Sequence, residues 1–286
     1  MDMIKRTVKN LAACLYLYSG LAFLSAVFLQ QLLLRRKKVL ILMYHGVAEK
    51  ELLYADNVPL ARFQRQVEYL RRCYEITGLD QALDYLNGTY RPQKPLVVLT
   101  FDDGYEGVFA HVSPRFCQAG IRGITFLPTR HIGSAGDWER AEKGYKGKIM
   151  NWEMLKQLVR DKAIEIGSHG ITHRKMSALS RAEALQELQG SKEAIEKKLG
   201  IQVRFFAYPY GQARECTRTI KELVQKAGYA AACSTIWGRH SGKDDIYALR
   251  RLRVDYDDSL FEFKLKLWGG YDWLEAVHLL KGMLRK

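Results

Sequence analysis

The chain has 286 residues, 48% hydrophobic and 11% aromatic, with a formal net charge of +14. That suits one large ordered domain and excludes a disordered or low-complexity chain; no RNP-like or zinc-finger pattern accompanies the basic excess, so nucleic acid is not an expected partner. Cys14, Cys73, Cys117, Cys216 and Cys233 are odd in number, widely spaced and without a CxxC pair, so they read as core thiols in a reducing compartment, not as a disulfide framework.

In chain order, residues 10–34 come first. They contain no charged side chain, while Lys5, Arg6 and Lys9 precede them and Arg35, Arg36, Lys37 and Lys38 follow. A helix of about 20 apolar residues spans a bilayer. The segment is therefore expected to be an uncleaved membrane anchor, with a buried or membrane-surface helix as the alternative. The two basic clusters nearly balance, so the positive-inside rule leaves the side of the remaining chain open. Residues 1–38 are taken as this N-terminal segment and residues 39–286 as the folded domain.

From residue 39 onward, short apolar runs alternate with helical patterns. VLILMY (39–44) reads as a buried strand, ARFQRQVEYLRRC (61–73) as a helix and PLVVLTF (95–101) as a strand followed by helical residues to about 118. GITFLP (123–128) and AIEIGS (163–168) are further strands, and residues 130–148 between them read as a long loop. The clearest helix is 180–200: Ser180 caps it, Glu183 completes a capping box and Gly200 ends it. VRFFAY (203–208), a helix at 215–228 and YAAACS (229–234) continue the alternation. Such a pattern predicts parallel strands with helical crossovers. With no GxGxxG or Walker loop after any strand, a (β/α) barrel is the expected form.

Polar residues fall where the strands end. His45 follows the first strand, Asp102 and Asp103 follow PLVVLTF, His169 follows AIEIGS, and Tyr210 and Gly211 follow FFAYP. In parallel α/β folds the carboxyl ends of the strands share one face, and that face carries the site. Singly, each has an ordinary explanation: an Asp-rich turn, a strand-end histidine, a rigid Pro-Tyr-Gly turn. Together they make one chemical sense. An Asp and two His, with His169 and His173 four residues apart, suit a divalent metal with open positions. A second carboxylate then serves as base toward water, a backbone N–H at the Tyr210 turn receives an oxyanion, and a third histidine protonates a leaving amine. That set points to metal-assisted amide hydrolysis.

The motifs resemble those of polysaccharide deacetylases with a NodB-homology domain, carbohydrate esterase family four. TFDDG stands as Thr100-Phe101-Asp102-Asp103-Gly104, the [ST]HxxxH motif as Ser168 to His173, and FAYPYG (206–211) is similar to the third motif of a bacterial branch; the likeness covers nearly all of residues 39–274. The resemblance implies a distorted, partly open (β/α)7 barrel, here preceded by the N-terminal hydrophobic helix. It implies that Asp103, His169 and His173 bind a divalent metal, usually Zn2+, that Asp102 is the general base, that Tyr210 gives the oxyanion its N–H and that His45 is the acid. The sequence departs from the RxPY form of the third motif: Ala207 stands where an arginine orients the base, so Arg251 or Arg253 of LRRLRV is the candidate substitute. The late LxH motif is absent, which leaves the acid to His45. The expected enzyme is a hydrolase of carbon–nitrogen bonds other than peptide bonds. It would remove N-acetyl groups from an amino-sugar polysaccharide or a lipid-linked saccharide at a bacterial inner membrane. A non-catalytic saccharide-binding protein on the same barrel is the alternative.

Overall fold

A computed structural model describes residues 5–18, 38–49, 57–134, 147–242 and 244–272. Seven strands form a closed, wholly parallel barrel: β1 (Lys38–Tyr44), β5 (Leu96–Phe101), β6 (Gly123–Leu127), β7 (Ile164–Ser168), β8 (Phe205–Ala207), β9 (Ala231–Trp237) and β11 (Leu249–Arg253). β1 closes the ring by pairing with both β5 and β11. The expected (β/α)7 barrel is present, but the expected opening is not: β1 pairs on both sides, so the ladder runs all the way round. Its thinnest seam is β7–β8, held in register only at Ser168 and Phe206. β4 (Glu75–Thr77) extends the sheet beside β5, β10 (His240–Ser241) runs antiparallel to the start of β1, and β2 (Gly46–Ala48) pairs with β3 (Asn57–Pro59).

Strand residues alternate between two cores, which is why the runs are apolar throughout. Val39, Ile41, Leu96, Val98, Ile124, Phe126, Phe205 and Leu249 fill the barrel interior. Their neighbours Leu40, Leu42, Val97, Leu99, Ile164, Ile166, Phe206 and Leu252 face the surrounding helices. Those helices are α2 (Leu60–Cys73), α3 (Leu79–Asn87), α4 (Ser113–Ala119), α5 (Trp152–Asp161), α6 (Arg181–Leu199), α7 (Arg218–Lys226) and α8 (Leu260–Trp268). The capping box at Ser180 and Glu183 is present, and Gly200 ends α6 in the left-handed region at φ 67°.

Ahead of them, residues 5–18 form a helix, α1, that lies beside α8. The Arg6 guanidinium donates to the carboxylates of Glu262 and Asp257, and the Asn10 amide donates to Glu262 at 2.8 Å. The rest of the expected anchor, residues 19–34, lies outside the described residues. No helix among the described residues is long and apolar enough to cross a membrane. The thiols correct one expectation: Cys216 and Cys233 are buried, but Cys73 and Cys117 are exposed. Cys73 ends α2 and Cys117 lies in α4, each turned away from its helix's apolar face.

Candidate active site

The strand ends bring the expected residues to the carboxyl mouth of the barrel. Asp102 and Asp103 follow β5, and the Asp102 N–H donates to Tyr44 O at 2.9 Å, which ties the β5 turn to the end of β1. His45 is the next residue. It stands close enough for its charge to act on both carboxylates. His169 follows β7, and His173 lies in the loop after it, ahead of the short turn at Met176–Ala178.

Asp103, His169 and His173 offer one ligand atom each within 4.8 Å of one another. The Nε2 atoms of His169 and His173 lie 3.5 and 3.3 Å from Asp103 Oδ1. That oxygen is buried and has no hydrogen-bond donor. A buried carboxylate oxygen without a donor is costly unless a cation completes it, so this donor set fits a divalent ion. The ring of His169 is oriented for the purpose. Its Nδ1 donates to Ala207 O at 2.7 Å, which leaves Nε2 as the lone-pair atom facing Asp103. Ala207 thus enters the site through its backbone, although its side chain has nothing to offer. Burial, with the neighbouring His173 adding to it, pushes His169 down to about 4, so the imidazole is a neutral ligand at ordinary pH. For Asp103 burial acts upward, but His173, His45 and His169 outweigh it and hold the carboxyl well below its usual range.

Asp102 has a different environment. Arg251, 1% exposed, meets it in a bidentate pair, Nη1 to Oδ1 and Nη2 to Oδ2, each at 2.8 Å. The guanidinium is fixed in turn by Nη1 donating to Thr100 Oγ1 at 3.0 Å and Nε donating to Ser234 O at 2.7 Å. Burial raises the Asp102 pKa, yet the charge of Arg251 prevails and keeps it below the ordinary value. Of the two arginines offered by the sequence, Arg251 makes this contact from within β11, on the interior face. Arg253 pairs with Asp255 at 2.8 Å near the surface.

Tyr210 lies at the turn after β8, its ring 5.3 Å from that of His173. Its carbonyl accepts from Thr235 Oγ1 at 2.6 Å, and the turn closes through Gly211 N–H to Pro209 O at 2.8 Å. The turn's own hydrogen bonds therefore do not use the Tyr210 N–H. Four non-glycine residues among those described have left-handed backbone, and three are in the site: Asp103 (φ 70°), His173 (φ 60°) and Tyr210 (φ 63°). The fourth, Lys162, caps α5. Side chains rarely adopt this region without cost, and strain of this kind concentrates at sites.

One positioning residue escaped the sequence reading. Glu187 of α6 accepts from Ile171 N–H at 2.7 Å, Thr172 N–H at 2.9 Å and Thr172 Oγ1 at 2.6 Å, so it fastens the loop between the two histidines. Its signal was available: Ala184, Glu187, Leu188, Ser191 and Ile195 form the buried stripe of α6, and an acid in such a stripe needs a partner. A cleft of about 700 Å3 between α2 and α4 is lined by Phe63, Val67, Arg71, Pro114 and Phe116 and shares no residue with this cluster.

The sequence pattern of the polysaccharide deacetylase family matches residues 89–232. YxkH of Bacillus subtilis (strain 168), provisionally named a polysaccharide deacetylase, is 27% identical over 218 residues, 76% of this chain and 71% of its own. Among solved structures, the Streptococcus pyogenes deacetylase PplD in complex with acetate superposes with a TM-score of 0.67 at 20% identity, covering 80% of this chain and 97% of that one. IcaB from Ammonifex degensii gives 0.67 at 22% identity, covering 82% and 97%. At such identities the structural likeness establishes a shared fold.

Proposed function

The chain belongs to the polysaccharide deacetylase family, and we propose that it is a divalent-metal-dependent hydrolase that removes N-acetyl groups from an amino-sugar-containing polysaccharide or lipid-linked saccharide. The observation that carries the reading is the buried trio of Asp103, His169 and His173 around a carboxylate oxygen with no donor, beside a second carboxylate held by an arginine. Asp103, His169 and His173 would hold the ion, with Zn2+ the expected metal. When bound, such an ion supplies Lewis acidity and lowers the pKa of a water from about 16 to about 7.

The chain's own groups divide the remaining work. Asp102 takes the proton of the attacking water. A carboxylate of modest basicity suffices there, and its bidentate pair leaves further lone pairs free to accept. Arg251 keeps Asp102 ionised and fixes its plane. The backbone N–H of Tyr210 receives the negative oxygen of the tetrahedral intermediate. His45, next to Tyr44 at the end of β1 and near both carboxylates, gives a proton to the departing amine. The left-handed backbone at Asp103, His173 and Tyr210 sets these groups in place before substrate arrives. Attachment to a membrane through residues 10–34 belongs to the same reading, since the segment carries no charge and basic residues flank it on both sides.

Acetate release from N-acetylated glucosamine oligomers tests the proposal. Activity is expected to vanish on chelation, return with zinc, and fall at least a hundredfold in Asp102→Asn with saccharide binding retained. Binding without acetate release under any metal would favour a saccharide-binding protein instead.

A further inference from the structure

We propose that the outward face of α1 is a docking surface for an anionic phospholipid bilayer, which holds the barrel on its side against the membrane. The inference rests on the membrane attachment proposed above through residues 10–34, and it assigns the described part of that segment, with Val8, a lateral contact made while its other face is packed on the protein.

α1 has two unlike faces. Arg6, Asn10, Ala13 and Leu17 recur at i, i+4, i+7 and i+11 and face the protein: Ala13 is fully buried, and Ala13 and Leu17 approach Gly270 just after α8. Tyr271 donates its hydroxyl to Asn10, and Lys9 lies 5.0 Å from the centre of the Tyr271 ring. The opposite stripe, at i, i+3, i+7 and i+10, is Val8, Leu11, Leu15 and Tyr18, exposed by 60, 60, 59 and 76%. A surface helix normally turns charged and polar residues outward. Here the order is reversed: Arg6 and Asn10 turn inward to Glu262, Asp257 and Tyr271, and the outward stripe is apolar.

The exposure is concentrated. Of eight exposed large hydrophobic side chains among the described residues, five are on α1. Scattered apolar residues are ordinary on a surface, but a contiguous set marks an interaction site.

Charge and sequence select the occupant. The charged residues of α1 are Lys5, Arg6 and Lys9, all basic, and the uncharged run continues without a break through residue 34 into Arg35, Arg36, Lys37 and Lys38. Arg6 and Lys9 are engaged by Asp257, Glu262 and Tyr271. That leaves exposed Lys5 ahead of the stripe, and the Arg35–Lys38 run beyond the uncharged segment, as the basic flanks. An apolar run between basic flanks suits an anionic bilayer. α1 runs alongside α8, with Arg6 at its start and Leu17 near its end, and α8 returns along the outside of the barrel after β11. With α1 in the interfacial plane, the barrel axis lies along the membrane. The mouth carrying Asp103 and the two histidines then opens along the surface, toward a saccharide lying on it.

The test uses the full chain reconstituted into vesicles of phosphatidylcholine and phosphatidylglycerol. A nitroxide is placed at Leu15→Cys, with Cys14, Cys73 and Cys117 changed to Ser. A second probe at Asp84→Cys on α3, an exposed position, serves as the aqueous control. The expected result is a Leu15 probe severalfold more accessible to oxygen than to a water-soluble nickel chelate, with the Asp84 probe reversed. A Leu15 probe as accessible to nickel as the Asp84 probe, in a chain that still sediments with the vesicles, overturns the docking surface and leaves the attachment standing. Spin–spin broadening between Leu15 probes also overturns it, in favour of a second copy. A chain that fails to sediment with vesicles overturns both.

Discussion

At the residue scale, the site depends on one buried charge pair and one pair of imidazoles. Arg251 and Asp102 are both nearly inaccessible, and removing one partner of such a pair costs about 3–5 kcal/mol because the other is left charged and alone. Burial pushes Asp102 up and Arg251 brings it down, so Arg251→Met raises its pKa. Since the base must be ionised, the acid limb of kcat/KM is expected to move to higher pH in Arg251→Met. In Arg251→Lys, which keeps the charge but loses the fork, the limb should move less. A limb unmoved in both variants would contradict the role given to Arg251. The residue types of the site were legible because they fall directly after apolar strands. The choice between Arg251 and Arg253 was not, because two residues of spacing put both on the same strand face; only their depth in the barrel separates them. The left-handed backbone at Asp103, His173 and Tyr210 was equally hidden, since none of the three is glycine.

At the element scale, α6 connects helix packing to the histidine loop. Its Glu187 makes three hydrogen bonds to residues 171 and 172, and a Cβ on Gly170 would stand 3.1 Å from that carboxylate. Loss of an outer partner of a metal ligand lowers affinity about 10- to 100-fold, and Glu187 acts through the loop, so Glu187→Gln is expected near the lower end, about tenfold. Glu187→Ala should lose more. Isothermal titration with zinc checks this, beside a thermal melt to separate it from unfolding; unchanged affinity in both variants would contradict the role. Strands buried on both faces gave uninterrupted apolar runs and so were readable, as was α6 with its capping box. β2, β3 and β4 have three residues each, too short for any period, and α3 and α5 are short, with nine and ten residues. Their places are set by tertiary contacts: β2 and β3 pair with each other over the mouth, and α3 packs Leu79 and Ala82 against the interior core.

At the scale of the whole molecule, the barrel carries its candidate site at the carboxyl end and a buried acid at the other. Glu165 sits at the amino end of β7, largely buried, with Oε2 lacking any donor. Burial first, and Asp80 next, push its pKa up to about 7. An acid with a raised folded-state pKa costs nothing below its unfolded value near 4.5, and the penalty grows until pH passes about 7. Glu165→Gln is therefore expected to raise Tm at pH 8, by no more than about 3 kcal/mol of stability, and to leave it nearly unchanged at pH 4. Equal effects at the two pH values would contradict that assignment. The catalytic end poses the opposite balance, with buried acids held ionised by cations, and there the central claim is open to direct measurement. That measurement is the metal content of the purified full chain after incubation with zinc and desalting, wild type against Asp103→Ala. The account predicts about one ion per wild-type chain and almost none in the variant. A wild-type chain that retains no zinc, or a variant that retains as much, would contradict it.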